Sequence, residues 1–189
     1  MTGYSGRLRK ADGWSRGKVQ HQEAAELVRK HHYSGGCSNT AVLSYGLRDP
    51  AGHLVGACMW LPPMPGPVGW AARVYGSARP VELSRMVMVP EVPKNGCSFL
   101  LAGCRAELKA LGYDLALTRA DALEGHHGGV YLAAGWQFAG WSTVVARWTD
   151  VEGRVRSRRC THNISAEEAR GRGWTRTTGL PKRRFVLAL

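Results

Sequence analysis

Apolar and polar positions along the chain change repeatedly between helical and strand-like spacing. Apolar side chains at helical spacing predict a helix over about residues 20–31. Strand-like runs at 41–47 and 54–60 are separated by a turn that contains Pro and Gly, which indicates a β-hairpin. Residues 61–80 are so rich in Pro and Gly that they predict a long loop, and a loop of this length is usually functional or mobile.

The pattern that organises the chain is an apolar strand at 81–89, a polar turn and an apolar helix at 99–111. This arrangement places free backbone N–H groups at a helix start, where they can hold an anion. Glu82, Ser84 and Arg85 interrupt the strand with polar groups. Because polar groups on a buried strand must be paired or functional, this stretch is the leading candidate for a binding site.

The alternation of elements continues to the end of the chain. The spacing predicts strands at residues 112–118, 136–141 and 143–148 and a final strand at 183–189. It predicts a short helix at 130–135 and the start of another helix at 165. This order predicts an α/β fold in which helices cover the faces of one mixed sheet.

Composition adds a strong positive charge to this picture. Lys and Arg number 26 against 14 Asp and Glu, a net charge of +12, and 44% of the residues are hydrophobic, which excludes a wholly disordered chain. A basic surface favours a polyanionic partner, most often nucleic acid, although charge that only maintains solubility remains an alternative. Residues 1–17 are predicted to be a flexible basic arm, and residues 18–189 a single domain with a basic C-terminal segment, 151–189, which has ten basic and three acidic residues.

Cysteine usage and apolar runs indicate the compartment. Five cysteines without C-x-x-C spacing indicate reduced thiols rather than disulfides or a zinc finger. No apolar run has the length of a membrane span. We therefore expect a cytoplasmic protein that makes no membrane contact.

The strand, turn and helix, together with the run 131–136 (YLAAGW), resemble the GNAT acyltransferase superfamily. In that fold the turn binds the pyrophosphate of acyl-coenzyme A, and Tyr131 resembles the general acid in position. The resemblance implies a single GNAT-like domain with a mixed, mostly antiparallel sheet and helices on both faces. The turn of this chain, 93–98, has one glycine where that loop is usually glycine-rich, which points to an atypical donor site.

A narrower resemblance spans most of the chain. It is carried by residues 31–36 (HHYSGG), 82–87 (ELSRMV) with Asn95 and Ser98, 120–121 and 125–128 with Tyr131, and 181–185 (PKRRF). These segments resemble the phage Mom proteins, GNAT-like enzymes that modify adenine in phage DNA. The resemblance implies that the protein acts in the cytoplasm of a bacterial host cell. The resemblance implies transfer of a carbamoylmethyl-like group to the N6 amine of adenine in DNA, which protects the DNA from restriction endonucleases.

The resemblance also implies roles for individual residues. Catalytic roles fall to Asp121, Tyr131, His32 and Tyr33; donor binding to Arg85, Ser84, Asn95, Gly96 and Ser98; and DNA binding to Arg154, Arg156, Arg158, Arg159, Lys182, Arg183 and Arg184. Each assignment competes with a structural role: an ion pair with Glu82 or Asp121 for Arg85, helix capping for Asn95, Ser98 and Asp121, and helix packing for Tyr131.

Cofactor and partners are the least determined part of the prediction. An acyl-coenzyme-A-like donor is one option, and iron held by His32, Asp121 and His126 is another, because two histidines and a carboxylate suit non-haem iron. Double-stranded DNA is the expected partner, and a homodimer is left open. Two other functions remain in view: an N-acetyltransferase that uses acetyl-coenzyme A on a small-molecule or protein amine, and a non-catalytic DNA-binding protein on a GNAT scaffold.

Overall fold

The computed structural model describes residues 6–144, 146–156 and 163–189, except for the side chain of Leu123. Five α-helices are described: α1 His21–His31, α2 Pro65–Tyr75, α3 Gly96–Ala110, α4 Gly129–Ala133 and α5 Ala166–Gly171. Ten strands are described: β1 Ser15–Lys18, β2 Leu43–Arg48, β3 Leu54–Leu61, β4 Pro80–Met88, β5 Leu115–Ala120, β6 Gln137–Trp141, β7 Ala146–Thr149, β8 Val155–Arg156, β9 Thr175–Thr178 and β10 Arg183–Ala188. No helix in these ranges is both long and apolar enough to cross a membrane.

Seven strands form the main sheet in the order β1-β2-β3-β4-β5-β10-β6. Strands β1 to β4 pair antiparallel with their neighbours, whereas β4 and β5 pair in parallel. A smaller antiparallel sheet has the order β8-β7-β9. The predicted mixed, mostly antiparallel sheet is confirmed.

Alternation along β3 places helices on both faces of the main sheet. The thiol of Cys58 lies 3.2 Å from that of Cys104 on α3, while the next residue, Met59, packs in a buried cluster with Val28 of α1. Successive side chains of a strand point to opposite faces, so α1 and α3 cover opposite sides. This arrangement confirms the predicted fold class.

The chain divides into two compact units. The first unit comprises the residues up to Thr118 together with Gly128–Ala139 and Phe185–Leu189, and the second comprises Arg119–His127 and Gly140–Arg184. The single domain predicted over 18–189 stays a prediction beside this division.

The loop predicted over residues 61–80 is wrong in its central part, which forms α2. Pro65 occupies the first turn of this helix, where the missing N–H has no helical partner in any case. Gly76 closes the helix with a left-handed φ of 66°. The Pro and Gly that predicted a loop therefore mark the two ends of a helix.

The flexible arm predicted over residues 1–17 is wrong for its described part. Leu8 and Trp14 are only 4% and 5% exposed, and Ser15–Lys18 pairs with β2 as an edge strand. Burial of these two apolar side chains offsets the entropy that a free terminus would keep.

Candidate functional site

The central feature of the first unit is the place where β4 and β5 stop pairing. Their parallel pairing covers three residue pairs, from Pro80 with Leu115 to Glu82 with Leu117. Just beyond it, the buried hydroxyl of Thr118 donates a hydrogen bond of 3.2 Å to the carbonyl of Leu83. The Thr118 side chain thus satisfies the Leu83 carbonyl, which lies beyond the last residue pair of β4 and β5.

On its other edge β4 carries a bulge at the same level. Met59 of β3 lies opposite Arg85 and Trp60 opposite Leu83, so that Ser84 is an extra residue on β4. Bulges bend a strand and redirect its side chains, and they are frequent beside active sites. Arg85 therefore lies directly after the point where the pairing of β4 with β3 is irregular.

Tyr131 belongs to α4 and lies in an aromatic cluster. Its ring centroid is 5.6 Å from that of Trp136 and 5.3 Å from that of Phe185, and its hydroxyl is within hydrogen-bonding reach of Thr118. Burial raises the pKa of Tyr131 above its ordinary value, an effect that the Thr118 hydroxyl only partly offsets. The phenol of Tyr131 therefore holds its proton more tightly than an ordinary tyrosine does.

Gly128 precedes α4 and fixes where Tyr131 stands. Its φ of 82° is left-handed, and a Cβ at this position would collide with the ring of Phe185. Only glycine combines this backbone conformation with such close packing.

His32 and Tyr33 follow the end of α1 and stack on each other, with ring centroids 4.3 Å apart. The backbone N–H of Ser34 donates to His32 Nδ1 at 3.1 Å. The Ser34 hydroxyl lies 2.8 Å from the same nitrogen. Two groups of Ser34 therefore hold the imidazole in place, and the stacked Tyr33 is 55% exposed.

Arg85, predicted to bind the donor, contacts the protein backbone. Its Nε donates to the carbonyl of Gly36 at 2.8 Å, and its Nη1 donates to the carbonyl of Ser84 at 2.7 Å and to the Ser84 hydroxyl at 3.2 Å. Arg85 therefore ties the loop that follows α1 to the bulge of β4.

The turn before α3 is occupied by the N-terminal segment. Asn95 Oδ1 accepts from the Leu8 N–H at 2.8 Å, and Asn95 Nδ2 donates to the Leu8 carbonyl at 3.1 Å. Ser98 bonds locally to the Asn95 carbonyl, and Gly96 is buried where a Cβ would collide with Val92. In this arrangement these three residues, all predicted to bind the donor, hold the start of α3.

In the second unit, Asp121 is the centre of an ion cluster. Its Oδ2 lies 2.5 Å from Arg147 Nη2 and 2.7 Å from Lys182 Nζ, and the residue is 3% exposed. Burial alone would raise the pKa of Asp121, but hydrogen bonds from Lys182 and Arg147 outweigh it and hold that pKa below its usual value. An ionised carboxylate shared by two cations is a weak base, and the catalytic role of Asp121 stays a prediction beside this structural one.

Most of the predicted DNA-binding cations have partners inside the second unit. Arg154 pairs with Glu152, Arg156 with Asp150 at 2.7 Å, and Lys182 with Asp121; Arg183 donates to the His127 carbonyl, and Arg184 to that of Trp141. Arg158 and Arg159 lie outside the described residues. Arg170 and Arg176, which the prediction omitted, are exposed and have no ion-pair partner in the described part of the chain. The count of basic residues in the tail was the one signal for them.

A family comparison decides the relationship of this chain. A model of the Mom protein family matches residues 14–186. The chain belongs to the Mom protein family. The narrower resemblance seen in the sequence is thereby confirmed, whereas a search of curated proteins found no match.

Solved structures place this Mom family member in the GNAT fold. It is similar to an IAA acetyltransferase from Bacillus cereus, with a TM-score of 0.57 and 10% identity over 93% of this chain and 99% of that one. A GNAT family acetyltransferase from Elizabethkingia anophelis with acetyl-CoA bound matches with a TM-score of 0.54 and 9% identity over 94% and 99%. The ribosomal-protein-S18-alanine N-acetyltransferase from Escherichia coli gives 0.53 and 10%, over 93% of both chains. Such low identity establishes the fold alone.

The fold family implies acyl-coenzyme A, and the start of α3 is where its pyrophosphate would be expected. The turn lacks a glycine-rich loop, and the backbone of Leu8 occupies both polar atoms of the Asn95 amide. These residues do not fit a pyrophosphate as they stand. We therefore derive no chemical step through coenzyme A.

The iron site predicted from His32, Asp121 and His126 takes its residues from both units and stays a prediction. Among the described residues, no group of three or more His, Cys, Asp or Glu side chains could hold a metal ion. Asp121 already accepts from two cationic side chains, and His32 Nδ1 contacts the backbone N–H and the hydroxyl of Ser34.

Proposed function

We propose that this protein is a DNA-modifying transferase that attaches a small, carbamoylmethyl-like group to the N6 amine of adenine in DNA. The modification would protect the DNA from restriction endonucleases. The observation that carries the proposal is membership of the Mom family over residues 14–186. The net charge of +12 supports a polyanionic substrate.

Proton transfer in this reaction falls to Tyr131. The exocyclic amine of adenine is a poor nucleophile because its lone pair is conjugated with the ring, so the enzyme has to assist bond formation and the departure of the leaving group. A half-buried phenol with a raised pKa keeps its proton at neutral pH and can donate it to a leaving group that becomes strongly basic as it departs. Thr118, whose hydroxyl donates to the Leu83 carbonyl, lies beside the phenol.

The stacked rings of His32 and Tyr33 supply a surface for the base. An amine inside a duplex is inaccessible to a transferase, so the target base has to leave the helical stack and find another aromatic surface. The exposed Tyr33 offers such a surface, and the imidazole of His32 stacks on its ring with centroids 4.3 Å apart.

The proposed product restricts the donor. A carbamoylmethyl group is attached through its CH₂ carbon, whereas a thioester delivers an acyl carbon. Simple transfer from acetyl-coenzyme A therefore cannot give this product. The poor fit of the α3 start to a pyrophosphate agrees with a donor other than acetyl-coenzyme A.

The test is the nucleoside composition of DNA from bacteria that express the protein. We expect digested DNA to contain a new adenosine-derived mass and the intact DNA to resist restriction enzymes. Tyr131→Phe should remove most of this modification, whereas Tyr113→Phe, which removes a phenol elsewhere in the first unit, should retain it.

Two outcomes would contradict the proposal. Folded wild-type protein that leaves adenosine unmodified but turns over acetyl-coenzyme A on an amine would be an ordinary acetyltransferase. Tight DNA binding without either activity would identify a non-catalytic DNA-binding protein.

A further inference from the structure

A cleft of about 310 Å³ opens in the first unit between α1 and the loop that follows it. Its polar walls are formed by His21, Gln22 and Arg29 of α1 and by Gly36, Cys37 and Asn39 of the loop. The volume is at the lower end of the range for small-ligand sites, about 300–1,000 Å³. Of the residues that line it, Gly36 accepts a hydrogen bond from Arg85.

Helical geometry explains one wall of the cleft. His21, Ala25 and Arg29 recur every four residues and so form one stripe along α1, while Ala24 and Val28 are fully buried against the sheet. The helix is held by its apolar face, and His21 and Arg29 lie toward the loop on either side of the buried Ala25.

The opposite wall is fixed by hydrogen bonds to Gly36. The carbonyl of Gly36 accepts from Arg85 Nε at 2.8 Å and from the Ser34 hydroxyl at 3.1 Å. A guanidinium on a sheet strand thus holds the loop in one position beside α1. A wall positioned before binding lowers the ordering cost of a ligand.

The lining of the cleft favours an anion. It contains a guanidinium, an imidazole and two carboxamides, but no carboxylate. Neither His21 nor Arg29 has an ion-pair partner among the described residues. Of the acidic residues of α1, Glu23 pairs with Arg48 at 2.6 Å, and Glu26 lies outside the lining. Arginine binds phosphate through two parallel N–H groups, which suits a site of this composition.

We propose that the cleft between α1 and the following loop binds a backbone phosphate of the DNA substrate through Arg29 and His21. The loop that forms one wall also carries His32 and Tyr33, which follow directly from α1. The proposed phosphate site and these two rings therefore share one loop. This inference rests on the proposed function for its choice of DNA as the ligand.

The test is the salt dependence of binding to a duplex oligonucleotide, measured by fluorescence anisotropy without turnover. Loss of one phosphate contact should reduce the slope of log K against log salt by about 0.9. Arg29→Gln should show this reduction and an affinity about tenfold lower at low salt. Lys30→Gln removes the same charge from the adjacent position of the same helix, outside the cleft, and should change the slope much less.

Several outcomes would overturn the inference. Equal slopes for the two variants would exclude a phosphate contact in the cleft. Arg29-dependent binding of inorganic phosphate or deoxyadenosine monophosphate, with duplex binding unaffected by Arg29→Gln, would show that the ligand is a free phosphate compound. Modified adenosine in the DNA together with an unchanged slope for Arg29→Gln would reject the phosphate site and leave the proposed function standing. A reduced slope for Arg29→Gln without modified adenosine would support the phosphate site and reject the proposed function.

Discussion

Different interactions stabilise the interior of each of the two compact units of this protein. The first unit buries a large apolar core, which includes Leu47, Met59 and Leu100. In the described part of the second unit, Ala120 and Ala169 are the buried hydrophobic residues, beside the buried carboxylates of Asp121 and Asp150. Apolar burial depends little on pH or salt, whereas ion pairs depend on both. The second unit should therefore respond to solution conditions that leave the first unit unchanged.

The density of positive charge along the chain also differs between the units. The second unit has twelve Arg and Lys against six Asp and Glu in less than half the length of the first, so both carry a net charge of +6. Several of these cations neutralise the buried carboxylates inside the unit. Arg170 and Arg176 remain as exposed cations without an ion-pair partner among the described residues.

The largest effect is expected in the first unit, from Gly128→Ala. Alanine would take up a left-handed φ of 82° and place its Cβ against the buried ring of Phe185. Backbone strain and overpacking each cost about 1–3 kcal/mol, so we expect a loss of at least about 3 kcal/mol in the free energy of unfolding. Urea unfolding measures this loss.

Gly129→Ala is the matched control for that variant. The neighbouring glycine is helical, and a Cβ there meets nothing within 4 Å. Alanine should stabilise this position by a few tenths of a kcal/mol, up to about 1 kcal/mol. Equal stability of the two variants would show that the packing of Gly128 on Phe185 does not position α4.

A smaller effect, confined to the second unit, is expected from Asp121→Asn. The change leaves Arg147 and Lys182 without their carboxylate, and because both cations are partly exposed we expect a loss of about 2 kcal/mol at pH 7. The folded pKa of Asp121 is lowered, so its contribution is present above the unfolded pKa of about 3.9 and disappears as pH falls through the folded pKa.

Hydrogen exchange measured peptide by peptide can locate this effect. Asp121→Asn should accelerate exchange in the second unit at pH 7, and the difference from wild type should vanish at strongly acidic pH. Glu124→Gln changes an exposed carboxylate of the same unit and should have little effect. A loss that is the same at pH 3 and pH 7 would mean that packing rather than charge explains the role of Asp121.

Periodicity predicted the elements of the first unit well because burial determines them. The helix predicted at 20–31 is α1, which begins one residue later and ends as predicted, and the strand predicted at 81–89 is β4, shifted by one residue. The helix α2 was missed because Pro65 and Gly76 were taken as breakers, although the same residues are typical of helix ends. Leu8 and Trp14 were missed because a lone apolar residue has no period.

The candidate site was predicted as a set of residues but not as a set of contacts. The pattern singled out Arg85 and Tyr131, yet their partners Gly36 and Thr118 come from other elements. Asp121 pairs with Lys182, a residue 61 positions away along the chain. Such pairings arise from tertiary packing, which local periodicity does not encode, and they decide whether a polar residue is available for chemistry.

The smallest effect is expected for an exposed ion pair of the second unit. Arg154 pairs with Glu152, and the two side chains are 68% and 55% exposed, so Arg154→Gln should change the free energy of unfolding by less than about 0.5 kcal/mol. Arg156→Gln removes the same charge two residues away, but Arg156 pairs with buried Asp150 and lies over the ring of Trp174. It should lower the melting temperature more, and added salt should narrow the difference between the variants. Equal melting temperatures would mean that the buried carboxylate of Asp150 does not organise the second unit.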